Sequence, residues 1–344
     1  MTLKEIILGG VFVASSAYFS VYSSADASPG ADLALLPSAT VAYSSSSRAE
    51  RPHSKPFEEN KLLEKGNPLE NNKPLEEKID LYIKSLRQDR YLAQTDRTSI
   101  VVYDLAENET IVSINEDQLR MAASLIKPFV MVGVYDALER GRVKETPAMR
   151  RDLTSMITYD RGCREANQAT NRLLRAIGKD YANQALQRYG FHQTKIKEFI
   201  PRDGRTYRNV TSAGDVSALL RRIYQKTMVN PQADQEMLQL LKRSDHTRLR
   251  AESMRGIEIA NKTGYVLGMN GDAGIVFRKG EEELGKGQRG KERPYIITVL
   301  IEDKTKPYAR QRGAGWGKRR TKVIREISKL TWRDLSKGFK KLVF

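Results

Sequence analysis

Thr98-Ser99-Ile100-Val101-Val102-Tyr103-Asp104, then Ala106-Glu107-Asn108-Glu109, then Thr110-Ile111-Val112-Ser113-Ile114, is a β-rich run, a polar reversal and a second β-rich run. β-branched and aromatic side chains favour extended chain and the Asn/Glu cluster supplies the turn, so the stretch reads as a hairpin. Its surroundings decide the class. Upstream, Leu75 to Arg90 sets Ile79, Leu81, Tyr82, Ile83 and Leu86 near helical spacing, which predicts an amphipathic helix. Downstream, Ser124 opens a stretch of helix composition that runs to Arg140 and stops before Gly141. Further helical patterns cover about 149–158, 167–177, 180–189, 212–228 and 232–243. Strands return only late, at Ile257–Asn261, Gly271–Phe277 and Pro294–Glu302, before a helix from about Lys318 to Ser336. Helices gathered in mid-sequence between two groups of strands predict an α+β architecture: a five-stranded antiparallel sheet flanked by helices, plus an all-helical lobe. The missing βαβ alternation disfavours a Rossmann-type fold. Gly285-Lys286-Gly287, crowded with charge between two late strands, reads as a hairpin loop.

Composition narrows the chemistry. The 344 residues carry 59 Lys+Arg against 42 Asp+Glu, a net charge of +17, with one cysteine, Cys163, and three histidines, His53, His192 and His246. A single cysteine closes no intramolecular disulfide and builds no thiolate zinc site. The scattered histidines argue against a local metal cluster, and a serine-histidine triad would need His192 or His246. The chemistry is therefore expected to run without thiol and without histidine. Hydrophobic residues at 40% and charged residues at 29% fit a soluble globular domain with an attached polar segment.

The ends read differently from the middle. A cationic start, an apolar run from Ile6 to Ser24 and Ala25-Asp26-Ala27 give the pattern of an export signal over 1–27. The alternatives are a buried N-terminal helix of the fold and an uncleaved anchor, the latter weakened by Gly9, Gly10 and several serines. Residues 28–76, rich in Ser, Pro, Asn, Glu and Lys, bury too little apolar surface to offset ordering entropy and read as a tether. Residues 77–344 then form one folded domain, expected to be a monomer. The last forty residues, 305–344, hold thirteen Lys/Arg and two acids, eleven of the seventeen surplus charges. Such a helix is either a solvated face, with Val323, Ile324, Ile327, Leu330 and Trp332 turned inward, or an attractor for an anionic wall polymer or membrane surface. The export reading makes nucleic acid a poor partner.

Two strings carry chemistry. In Ala123-Ser124-Leu125-Ile126-Lys127, at a helix start, Ser124 and Lys127 share a face with Cβ atoms about 5–6 Å apart. A desolvated, neutral Lys127 would take the Ser124 proton, and backbone N–H groups at the helix start favour developing negative charge. Alone, the string also suits a capping serine followed by a surface lysine. In Asn261-Lys262-Thr263-Gly264, at the end of a strand, Lys262 and Thr263 suit a substrate carboxylate, and Gly264 would let a substrate backbone lie against the strand. Alone, that string also suits an ordinary turn.

In this order and at this distance the strings are far more specific, and the chain from about 77 to 335 resembles the class A serine β-lactamases and their penicillin-binding relatives. Ser124 to Lys127 matches S-x-x-K and Lys262 to Gly264 matches K-T-G. Ala169-Thr170-Asn171, Thr211-Ser212-Ala213-Gly214-Asp215, His246-Thr247-Arg248-Leu249 and Gly271-Asp272-Ala273-Gly274-Ile275-Val276 support the match. The resemblance implies acyl transfer on a β-lactam or a peptidoglycan peptide, with no metal or organic cofactor required. Ser124 would be the nucleophile and Lys127 its base. The backbone N–H groups of Ser124 and Tyr265 would form the oxyanion hole, and Lys262 and Thr263 would bind the substrate carboxylate. Two departures follow. The family's S-D-N box falls on Glu165-Ala166-Asn167: Asn167 fits, while Glu165 stands where the proton-relaying serine would, either as a carboxylic acid that shuttles the proton or as a solvated helix-start residue, and 160–164 reads as an insertion. The E-x-x-L-N segment that activates the hydrolytic water is missing from Ile196–Arg205, where Glu198 reads as a surface charge. Acylation followed by slow deacylation is one consequence. A silent wall-binding module is the third alternative, beside hydrolase and penicillin-binding protein.

Overall fold

The computed structural model describes residues 73–159, 162–206, 208–244, 246–277, 293–303, 305 and 315–337, all within one compact unit. The segment read as an export signal and nearly all of that read as a tether lie outside the described residues. So does Gly285-Lys286-Gly287.

The elements follow in the order α1 (Leu75–Gln88), β1 (Asp96–Asp104), β2 (Glu109–Ile114), β3 (Arg120–Met121), a 3-10 turn (Ala123–Leu125), α2 (Ile126–Glu139), α3 (Pro147–Thr158), α4 (Gly162–Ile177) and α5 (Lys179–Arg188). They continue with β4 (Val210–Thr211), α6 (Ala213–Gln225), α7 (Pro231–Lys242), β5 (Glu258–Val266), β6 (Met269–Phe277), β7 (Tyr295–Asp303) and α8 (Gly315–Lys337). β1, β2, β5, β6 and β7 form a five-stranded antiparallel sheet in the order β2-β1-β7-β6-β5, the expected α+β architecture. β3 and β4 pair as a separate two-stranded ribbon.

Both faces of the sheet are covered, and strand periodicity sorts side chains between two cores. Ile100 and Val102 of β1, with Ile297, Val299 and Ile301 of β7, face α1 and α8. Val101, Tyr103, Ile296 and Leu300 face the helical lobe. On β5, Ala260 belongs to the lobe-facing core, so Lys262, two residues on, falls on that side as well.

α8 buries the expected stripe of Val323, Ile324 and Ile327. Its bases are not all solvated: Arg320 is buried and forms an ion pair with the buried Asp96 at the start of β1. α1 and α8 are tied by Lys78–Asp334 at 2.6 Å. In the lobe, the buried Asp136 of α2 accepts hydrogen bonds from Tyr181, Tyr189, Arg188 and Arg140, which joins α2 to α5 and its C-terminal flank. Burial alone would raise this carboxyl, and the four donors together hold it below its ordinary value.

Candidate active site

Ser124 does not cap a helix. It lies on the 3-10 turn ahead of α2, half-buried, and neither the turn nor α2 has a side-chain cap hydrogen bond. Ala123, just before it, has φ 45, a left-handed conformation that costs a non-glycine residue about 1–3 kcal/mol and persists only where the surroundings impose it. The turn is fixed by Ala122, whose N–H donates to the Asn209 carbonyl at 2.8 Å and whose carbonyl accepts from the Leu125 N–H at 2.9 Å. The opposite clamp is Gly264. A Cβ there would stand 3.0 Å from Leu125 Cγ and 3.2 Å from the Ala122 carbonyl oxygen. This corrects the expectation that Gly264 makes room for substrate, because the space is already filled by the Ser124 turn.

Lys127 is no surface lysine. It is fully buried, and its Nζ donates to Asn167 Oδ1 on α4 at 2.9 Å. Burial brings its amine down to about 7, slightly opposed by Cys163, so near neutrality a large fraction carries a free lone pair. Lys262 lies within β5, beyond the expected strand end at Asn261, and is 1% exposed. Its Nζ has no hydrogen-bond partner among the described residues. Burial first, and repulsion from Lys127 second, hold its amine well below the ordinary lysine range.

Between the two lysines stands a residue the sequence reading missed. Tyr159, at the C-terminus of α3 with φ 58, places its ring 3.6 Å from Lys262 Nζ and 4.5 Å from Lys127 Nζ. Burial raises its phenol, and a hydrogen bond with the Ser124 hydroxyl opposes that rise. The available signal was positional: Tyr159 directly follows the predicted helix 149–158 and stands a few residues ahead of α4, which carries Asn167.

Glu165 sits elsewhere. Its carboxylate forms an ion pair with Arg172, which also holds Asp152 at 2.7 Å. The reading of Glu165 as the group in the serine's place is corrected: one turn into α4 it closes a local ion-pair network, and Tyr159 is the hydroxyl beside Ser124. Glu198 is also spoken for, accepting from Thr206 Oγ1 at 2.9 Å and the Arg208 N–H at 3.0 Å, so it ties its loop together. Thr263 is buried next to Lys262. Tyr265 is exposed, its ring against Gly317 in the first turn of α8. Asp272 of β6, fully buried and raised by that burial to about 6, accepts from Asn261 Nδ2 (2.8 Å), the Arg248 N–H (2.6 Å) and Thr247 Oγ1 (3.1 Å). It thereby fastens the His246–Arg248 segment alongside Lys262.

The fold brings Ser124, Lys127, Tyr159 and Lys262 into one cluster at the border of sheet and lobe. The chain belongs to the β-lactamase enzyme family, whose model matches residues 82–156 and 153–335. No curated protein matches it in sequence. Among solved structures it is similar to PBP-A, with a TM-score of 0.58 and 22% identity over 76% of this chain and 96% of that one. A class A β-lactamase from Bacteroides cellulosilyticus (TM-score 0.57, 18% identity, 77% and 99% covered) has the same fold. So does a β-lactamase from Sphaerobacter thermophilus (0.56, 16%, 74% and 95%).

Proposed function

We propose that this protein is an exported serine acyl-transfer enzyme whose Ser124 is acylated by β-lactams, or by peptidoglycan peptides ending in a carboxylate, and is released slowly. The observation that carries the proposal is Lys127, fully buried, bonded to Asn167 and with its amine near 7. A lysine kept uncharged one turn from a serine is a base poised at the operating pH. In this mechanism Lys127 takes the Ser124 proton as the hydroxyl attacks the acyl carbon. The Tyr159 phenol, placed between Ser124 and both amines, passes a proton to the leaving nitrogen. Lys262 supplies the cation for the substrate carboxylate. Burying a cation without a partner costs several kcal/mol, and an arriving carboxylate removes that penalty and restores the ammonium.

Slow release rests on the two glutamates that the sequence offered for proton transfer and water activation. Glu165 is held by Arg172, and Glu198 by Thr206 and Arg208, so neither stands free to activate water. A solved point variant of PBP-A is an acyl-enzyme complex with penicillin G, which fits the same chemistry. The placement outside the cytoplasm rests on the export pattern of 1–27.

Labelling with a fluorescent penicillin, followed by intact-mass spectrometry, tests the reading. A Ser124-dependent adduct lasting hours is expected. No adduct would refute acyl transfer, whereas release within seconds would replace slow release with β-lactam hydrolysis.

A further inference from the structure

A cavity of about 440 Å³ adjoins the site on the α4 side, with Asn167, the partner of Lys127, in its wall. Nothing from β5 lines it. One wall is the face of α4 that carries Arg164, Gln168, Arg172 and Arg175, spaced by three or four residues and therefore stacked along the helix. The other is the segment from Phe199 to Arg202. That segment is held in place: Asn171 Nδ2 donates to the Ile200 carbonyl and Asn171 Oδ1 accepts from the Ile200 N–H, both at 2.8 Å. Beyond it Gly204, at φ +74, packs so close that a Cβ would lie 3.0 Å from Asn167 Nδ2.

The charge in this cavity is one-sided. No acid lines it. Arg172 is neutralised by Asp152 and Glu165, whereas Arg164, Arg175 and Arg202 have no ion-pair partner among the described residues. Arg175 is pre-oriented by stacking on Phe199, with its guanidinium 5.3 Å from the ring centre. Guanidinium groups in a concave, fixed surround bind carboxylates through paired charge-assisted hydrogen bonds.

We infer that this cavity is a subsite for a carboxylate on the acyl side chain of the substrate, so that the enzyme selects acidic acyl groups. The inference deepens the acyl-transfer reading and rests on it for the name of the substrate. Lys262 and Thr263 serve the carboxylate on the leaving-group side, and the arginines serve a second one beyond Asn167. The substrate class is a compound with an anion at both ends of the scissile amide.

The test separates binding from acylation by using the full chain with Ser124→Ala. The probes are two penicillanates that differ in one group: a glutaryl side chain and its isosteric, neutral glutaramide. Calorimetry should show the glutaryl compound binding about tenfold more tightly, the scale of one charge-assisted contact. Adding Arg164→Gln, Arg175→Gln and Arg202→Gln should bring the two compounds within about twofold, with glutaramide binding unchanged. Without any arginine variant, raising salt from about 50 to 500 mM should shrink the preference several-fold. Equal affinities, no binding of either probe, or a preference that survives both high salt and the triple substitution would overturn the subsite. A missing Ser124 adduct in the unsubstituted protein would count against acyl transfer alone.

Discussion

Two pairs of charged side chains are buried to the same depth in this protein and are handled in opposite ways. Between β1 and α8, Arg320 (2% exposed) meets Asp96 (1% exposed), whose Oδ2 also accepts from the Ala93 N–H at 2.7 Å. Between the sheet edge and the lobe, Lys127 and Lys262 (0% and 1% exposed) are given an amide oxygen and the face of Tyr159, with no ion pair to either among the described residues. Burial pulls proton affinity down at all three cations, and at Arg320 the neighbouring Asp96 opposes that fall. At the lysines the opposing groups are weaker: Lys127 is brought to about 7 and Lys262 lies well below its ordinary value. The first pair has its counter-charge in the folded chain, although Asp96 Oδ1 and Arg320 Nε and Nη1 find no hydrogen-bond partner among the described residues; under the proposed function the second gains a counter-charge only from a substrate anion. Depth of burial alone does not separate a structural charge from a working one; the presence of a built-in counter-charge does.

The sharpest way to break this contrast is to remove the proposed base. Lys127→Ala should slow acylation by penicillin about 10²–10⁴-fold, the usual contribution of a general base, with the fold preserved by circular dichroism. Unchanged labelling would show that the buried lysine is structural. The next largest effect belongs to the other pair. Asp96→Ala leaves Arg320 buried without its counter-charge and should lower unfolding free energy by about 3–5 kcal/mol in urea titrations, with little effect on acylation rate beyond lost protein. A loss below about 1 kcal/mol would mean that Arg320 is solvated as readily as it is paired. The smallest test is pH. The neutral fraction of Lys127 rises with pH through about 7, so acylation should increase about tenfold per unit well below 7 and level off above it. A flat profile between pH 5 and 8 would separate the lysine from the rate.

Much of the scaffold was legible because period-2 and helical patterns act locally. Ile100 and Val102 against Val101 and Tyr103 already describe a strand buried on both faces, and α4 to α7 carry ordinary amphipathic spacing. β3 and β4, two residues each, are too short to show any period. Of the site, Ser124, Lys127, Asn167 and Lys262 come together because motif spacing encodes them. Tyr159 was hidden, since its role depends on an α3 terminus that turns through a left-handed residue and on two lysines 32 and 103 positions away. Glu165 misled for a related reason. Its local pattern leaves its partner open, and Arg172, anchored by Asp152 on the neighbouring α3, captures it.

β1 occupies the interior of the sheet, with β2 on one side and β7 on the other, and Asp104 stands opposite Tyr295. The strand therefore waits for a partner nearly two hundred residues further along the chain, whereas α2 to α7 contact one another within a continuous stretch. Loop-closure entropy makes such distant pairing slow relative to local helix packing. Lys262 on β5 faces Lys127 only where β5, β6 and β7 are paired back onto β1, so the meeting of the two lysines depends on the longest-range pairing in the sheet.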